Sequence, residues 1–275
     1  MKVVIMEKID IKKGIHKYSD QPRCFYLGER NQNRFIYKYM DLEAAIISLA
    51  TDSIRFVEPH LWEDQYEGRF YNASYAQVNN AAGNTPPVLA CCFSYASVNE
   101  AAWKLYSHTK TGLGARCVKI KINKKAFRKQ IASNNSDYQL YEGEADYSLD
   151  DYHINHLHER QYPNGTANSR HNELFADFDL ASYLSLMLIK RQAFLQEQEL
   201  RYFMIPNFPE LKGSIEHEEF NIEWKHILAD IVVDEHCTDT ELAMLTKVLE
   251  SKGIDIVPKR EFIYAMPGGP IVIES

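Results

Sequence analysis

Glu197, Glu199 and Arg201 alternate within Phe194-Leu195-Gln196-Glu197-Gln198-Glu199-Leu200-Arg201-Tyr202. Residues two apart on a β-strand leave from one face, so a strand here would carry two carboxylates and a guanidinium side by side. A carboxylate pair can polarise a nucleophile or stabilise a developing cation, and an arginine keeps a neighbouring acid ionised. Lys190 and Phe194 stand just upstream. The plain alternative is a solvated strand face with one ion pair.

Three further clusters could serve such a site. Tyr37-Lys38-Tyr39 reads as strand, with the tyrosines on one face and Lys38 on the other; either face could edge a pocket, or the aromatics could simply point inward. In Trp62-Glu63-Asp64-Gln65-Tyr66-Glu67, Asp64 and Glu67 could hold each other, a cation or ribose hydroxyls, since ionised carboxylates only accept hydrogen bonds. A solvated acidic loop anchored by Trp62 would read the same. Cys92-Phe93-Ser94 places a serine where a buried strand ends, a frequent place for ligand contacts. No Gly-x-Ser-x-Gly elbow surrounds it, so Ser94 is suited to holding a ligand rather than attacking one. Trp103, Tyr106 and Gly112 follow.

Two other groups read as surface. His153, His156 and His158 approach metal spacing without matching cysteine or acidic ligands, which suits a solvated loop, and no metal is expected. Lys119, Lys121, Lys124, Lys125, Arg128 and Lys129 could track a phosphate backbone, although a formal charge of -7 lends nucleic-acid binding no support. Phosphate-loop, dinucleotide, zinc-protease and protein-kinase signatures are absent.

The elements that must position these residues follow from patterning. Phe35–Tyr39, Ser53–Val57, Val88–Ser94 and Ala115–Ile122 read as strands, with a short strand possible at Val3–Met6. Asp41 caps a helix from Leu42 to Ala50, and a second helix spans Glu100–Ser107 before a turn at Gly112 and Gly114. Leu174–Phe194 is the longest helical stretch, entered past Asp177 or Asp179. Ile227–Val233, a helix opened by the Thr238–Glu241 capping box and closed at Gly253, and Ile254–Val257 form a βαβ-like unit. The expected fold is one α+β domain over 1–275, with a mixed sheet and flanking helices. Its motif-bearing core is 34–205, with a mobile insertion at 133–170 and a βαβ-like extension at 206–275.

The 45% hydrophobic and 25% charged content suits a globular core. No apolar run approaches the roughly 20 residues a membrane-spanning helix needs. Five cysteines without Cys-x-x-Cys spacing, and a first segment without a signal-peptide layout, point to the cytoplasm.

Taken together, the clusters resemble a large bacterial family known only as a domain of unknown function. It shows a tyrosine-lysine-tyrosine strand, a strand ending in proline, an acidic Asn-Asp-Pro-x-Glu-like loop and a Cys-Phe-Ser strand. A tryptophan with tyrosine three later and glycine beyond, a lysine, an aromatic and Glu-x-Glu-x-Arg complete the pattern. The matches are Tyr37, Lys38, Tyr39, Pro59, Asp64, Glu67, Phe93, Ser94, Trp103, Tyr106, Gly112, Lys190, Phe194, Glu197, Glu199 and Arg201, within Phe35–Tyr202. Gln65 replaces a frequent proline and Lys110 a frequent histidine, and the second departure weakens any histidine role in that loop. Genes of that family often lie near phage-defence or abortive-infection loci, which implies a defence-linked role.

The order of parts is also similar to ADP-ribosyltransferases. That resemblance implies NAD as substrate, Lys38 or Tyr37 touching it, and Ser94 supporting the binding strand. It further implies Glu199 as the catalytic glutamate, Glu197 orienting the acceptor, and Tyr106 or Trp103 stacking on nicotinamide. Two alternatives stand beside this NAD-consuming transferase or glycohydrolase. One is a ligand- or partner-binding protein without catalysis; the other is a nuclease holding Mg²⁺ on Asp64, Glu67, Glu197 and Glu199 with Lys190 near a phosphate. A macromolecular acceptor or a neutralising partner protein would accompany the first.

Overall fold

Strands β5 (Leu89–Ser94) and β8 (Glu199–Pro206) lie inside an eleven-stranded mixed sheet, and every residue of β8 is buried. The computed structural model describes residues 11–62, 64–81, 84–108, 116–208 and 215–261. Outward from β8 on one side come β7 (Tyr138–Glu144), β2 (Cys24–Leu27) and β1 (Ile15–Lys17). On the other side, beyond β5, come β3 (Phe35–Asp41), β6 (Cys117–Asn123), β10 (Leu228–Asp234) and β11 (Lys259–Glu261). The architecture is α+β, as expected.

The sheet forks at β5. One edge of β5 pairs with β8 at all six positions, whereas the other meets β3 only at Tyr37–Ser94 and β4 (Ser53–Val57) only at Val57–Ala90. β4 continues instead to β9 (His217–Asn221). Alternation along the central strands divides the side chains between two apolar layers. Cys91, Phe93, Leu200, Tyr202 and Met204 enter one layer, and Ala90, Phe203 and Ile205 the other. Cys92, Ser94, Glu199 and Arg201 belong by the same alternation to the second face.

Local signals place much of the frame. Asp41 accepts a hydrogen bond from the Ala44 N–H at 2.7 Å and opens α1 (Leu42–Thr51), which buries Leu42, Ala45 and Leu49. The Thr238–Glu241 capping box opens a helix at Asp239–Ser251, which links β10 to the parallel strand β11 as a βαβ unit. The strand expected at Ile254–Val257 comes later, at Lys259–Glu261. Gly253 takes φ 64° and the Ile254 N–H still bonds the Leu249 carbonyl at 3.0 Å, so these residues close the helix.

Other expectations change. Leu174–Phe194 is broken into helices Ser169–Phe175 and Leu180–Leu186 and a 3-10 turn at Gln192–Glu197. Asp179 and Ser182 form a capping box that restarts the chain, and Asp146 then exchanges backbone hydrogen bonds with Leu188 and Lys190. Residues 181–190 are buried on every side, so no polar face marks where a helix should stop. The segment 133–170, expected as an insertion, contributes β7, which pairs with β8 and β2 in the sheet. The extension 206–275 is likewise woven in, through β9 on β4 and β10 on β6. The Val3–Met6 strand and the Gly112 and Gly114 turn lie outside the described residues, in which no helix is long and apolar enough to cross a membrane.

Gly143 on β7 sits opposite Arg201, and a Cβ there would come 2.6 Å from Leu188 Cδ1. Gly143→Ala is expected to destabilise the protein by about 1–3 kcal/mol through overpacking. The readout is a lower urea midpoint; an unchanged midpoint would mean that Leu188 moves aside freely.

Candidate functional site

Register puts Tyr37, Ser94 and Glu199 in one row across β3, β5 and β8. Residues directly opposite in antiparallel strands share a face, so the three point the same way. The neighbouring row holds Cys92, Arg201 and Gly143. A cavity of about 700 Å³ opens above, and Tyr37, Tyr39, Asp64, Glu67, Ser94, Lys190, Glu197 and Glu199 all line it.

Its floor is a buried charge cluster. Lys190 Nζ lies 2.7 Å from Glu199 Oε2, 2.6 Å from Glu197 Oε2 and 3.2 Å from Glu67 Oε1. Arg201 Nη2 donates to both Glu67 and Glu199, the latter at 3.0 Å, and Nη1 donates to the Met187 carbonyl at 2.5 Å. The guanidinium stacks 4.4 Å from the Trp62 ring. Arg201 is 0% exposed and Glu199 6%, while the Glu197 side chain keeps 27%. Three carboxylates meet two cations here, leaving one negative charge in excess.

Local structure aims each member. Asp64 accepts from the Tyr66 N–H at 2.9 Å and caps the single turn α2 (Gln65–Gly68), which turns Glu67 inward. Gly68 packs where a Cβ would stand 2.9 Å from the Pro59 carbonyl oxygen, so this close approach requires glycine. Glu197 ends the 3-10 turn, and Gln198 takes a left-handed φ of 44° before β8 begins. Glu197 is therefore not on the Glu199–Arg201 strand face, yet Lys190 bridges it back to Glu199. Ser94 Oγ donates to the Glu197 carbonyl at 2.5 Å and accepts from the Ala96 N–H at 2.9 Å. Ser94 thus fixes the backbone of the most accessible glutamate.

The electrostatics separate the two glutamates. Burial disfavours the charge on Glu199, but Arg201 and Lys190 outweigh it and hold the carboxyl down at about 2. Burial raises the Glu197 carboxyl above its ordinary value, with Lys190 offsetting only part. Burial also opposes the Lys190 charge, yet Glu199, Glu67 and Glu197 prevail and keep it a firm ammonium, which excludes it as a nucleophile. The Cys92 thiol is pushed well above its usual value by burial and by Glu199, so it stays protonated.

Several expected residues fall elsewhere. The solvated strand face is overturned, because Arg201 lies sealed beneath the cavity floor. Trp103 is buried edge-on against Tyr39 at 5.7 Å and does not line the cavity. Lys38 Nζ donates to the Cys92 carbonyl at 2.8 Å and lines a second cavity of about 460 Å³ between β3, α1 and β4. The Tyr106 and Gln65 side chains, and Lys110 and Gly112, lie outside the described residues.

The basic run does not form one face. Lys119 is buried against Glu261, Lys124 and Arg128 are buried around Glu142, and Lys121 lies 4.4 Å from the Phe35 ring. Lys125 is exposed and pairs with Asp20 at 3.5 Å. His153 pairs with Asp150, and His156 and His158 with Glu159. Among the described residues no group of three or more His, Cys, Asp or Glu is arranged to hold a metal ion.

Arg191 and Asn99 are among the cavity residues that escaped the sequence reading. Arg191 pairs with Asp64 at 2.9 Å and stacks 5.0 Å from Phe194; its only signal was adjacency to Lys190. Asn99 caps the helix that follows it, and an asparagine just before Glu100 was a legible cap signal. No family model matches the chain, and neither does any curated protein or solved structure.

Proposed function

We propose that the chain is an NAD-consuming enzyme, an ADP-ribosyltransferase-like transferase or NAD glycohydrolase that acts as a defence effector. The observation that carries this reading is the convergence of Tyr37, Ser94, Glu197 and Glu199 on one cavity. At about 700 Å³ it falls within the roughly 300–1,000 Å³ range of small-molecule sites. Tyr37 and Phe194 supply aromatic walls for a nicotinamide ring, while Trp103 is packed away from it.

Breaking the bond between nicotinamide and ribose sends the electron pair to the ring nitrogen and leaves positive charge on the ribose. A fixed cluster with excess negative charge stabilises that developing cation. Water, or a nucleophile of an acceptor, then bonds to the ribose carbon and loses a proton. Glu197 is the carboxylate with exposure to take it, while Glu199 acts as a positioning group that locks Lys190 and Arg201. The Mg²⁺ nuclease reading is disfavoured by the same contacts, because Lys190 and Arg201 occupy both oxygens of Glu67 and Oε2 of Glu199 that a cation would need.

The test is incubation of the full chain with NAD and chromatography of the products. Nicotinamide release is expected. Absence of both NAD binding and release overturns the reading and leaves a ligand- or partner-binding protein without catalysis, a role consistent with the complete ion pairing of Glu199.

A further inference from the structure

We infer that the cavity holds an anion subsite, formed by Asn99 and the N-terminus of α3 (Glu100–His108), that takes the phosphate groups of a nucleotide. The inference deepens the NAD reading and rests on it for the identity of the dinucleotide alone.

Asn99 is only 5% exposed. Its Oδ1 accepts from the Ala102 N–H at 3.0 Å and its carbonyl accepts from the Trp103 N–H at 3.1 Å. The cap fixes the amide plane, because only the oxygen end can receive the helix N–H. The Nδ2 amino group then has two donors, and among the described residues no acceptor meets them. It is not sealed in, as the unpartnered Arg201 Nε is, and the space that Asn99 borders is the cavity. A buried amide with spare donors on a cavity wall is matched by a ligand that brings acceptors.

The surroundings suit an anion. Ala101 and Ala102, from the first turn of α3, also line the cavity, and their small side chains let a ligand approach the backbone. The Ala102 and Trp103 N–H groups are taken by Asn99, so the anion meets the helix dipole and the start of the first turn, where partial positive charge gathers. Glu100 would oppose an anion, but its carboxylate is drawn to Lys104 Nζ at 2.5 Å. The negative excess around Lys190 belongs to other elements lining the cavity, β8 and the segments before it. A ligand with an anionic and a cationic part therefore has one favoured orientation, phosphates on α3 and cationic ring toward the glutamates.

The test is calorimetry on the full chain with ADP, pyrophosphate and inorganic phosphate. Asn99→Asp keeps the capping oxygen, so α3 persists, but turns two donors into a charged acceptor. ADP and pyrophosphate are expected to bind the wild type, and Asn99→Asp to weaken both by about 100-fold or more. Asn99→Ser, which keeps a cap oxygen without new charge, is expected to weaken them by about 10-fold. Helicity by circular dichroism confirms that both variants fold. Equal binding by wild type and Asn99→Asp overturns the subsite, as does absence of ADP and pyrophosphate binding to the wild type. Inorganic phosphate binding as tightly as ADP overturns the assignment to a nucleotide. ADP binding that depends on Asn99, without nicotinamide release, keeps the subsite and discards the NAD enzyme. Nicotinamide release with a KM unchanged by Asn99→Asp does the reverse.

Discussion

Arg201→Met is expected to lower stability at pH 7 by about 3–5 kcal/mol, the cost of breaking a buried ion network by removing one partner. The side chain is fully buried and supplies hydrogen bonds to Glu67, Glu199 and the Met187 carbonyl. Methionine fills similar space but leaves Lys190 alone against three carboxylates. The pH dependence identifies the group responsible. Glu199 has its carboxyl lowered to about 2, so its contribution is fully present above the ordinary carboxylate range and is lost as pH falls toward that value. The gap between wild type and Arg201→Met should therefore be full at neutral pH and narrow as the solution is acidified below the ordinary range. Urea unfolding at pH 7 and pH 3 measures it. A gap that stays constant would show that the loss comes from packing against Trp62 and not from Glu199.

The second large effect separates the two glutamates. Glu197→Gln is expected to reduce nicotinamide release by about 10²–10⁴-fold, the usual contribution of a positioned general base, while the fold is kept. Burial raises the Glu197 carboxyl, so its charge weighs against folding as pH rises through the ordinary carboxylate range. Glutamine removes that charge, and the thermal midpoint at pH 7 should hold or rise slightly. Glu199→Gln should instead lower the midpoint, because Arg201 and Lys190 lose the carboxylate that binds both. Turnover and thermal unfolding of both variants settle the roles. Full activity in Glu197→Gln, with loss confined to Glu199→Gln at unchanged stability, would exchange them.

Much of the site was legible because its residues sit at element ends, where local chemistry is loud. Asp41 and Thr238 are strong caps, and Ser94 closes an apolar strand, so their neighbourhoods were readable. Glu199 and Arg201 were readable as sharing a face, but not as buried, because alternation reports which side a residue takes and not what covers it. Their cover is Trp62 and Met187, which nothing in the sequence ties to this strand, and Lys190, legible as a neighbour but not as a lid. β7 was missed because Glu142, Gly143 and Glu144 look like loop. Glu142 is instead held by Lys124, Arg128 and Tyr18, and Gly143 makes room for Leu188. The Leu174–Phe194 stretch was read as one helix because its entirely buried centre, 181–190, carries no period.

The position of β8 also bears on when the protein becomes competent during synthesis. β8 separates β5 from β7 and pairs with both, although it follows both in the chain. A ribosome that has released the tyrosines, Ser94 and Asn99 has produced two strand sets with no central strand to join them. The cavity floor exists only once Glu199 and Arg201 have emerged and inserted between the two. Under the proposed NAD-consuming function, unfinished or truncated chains would lack the floor on which that activity rests.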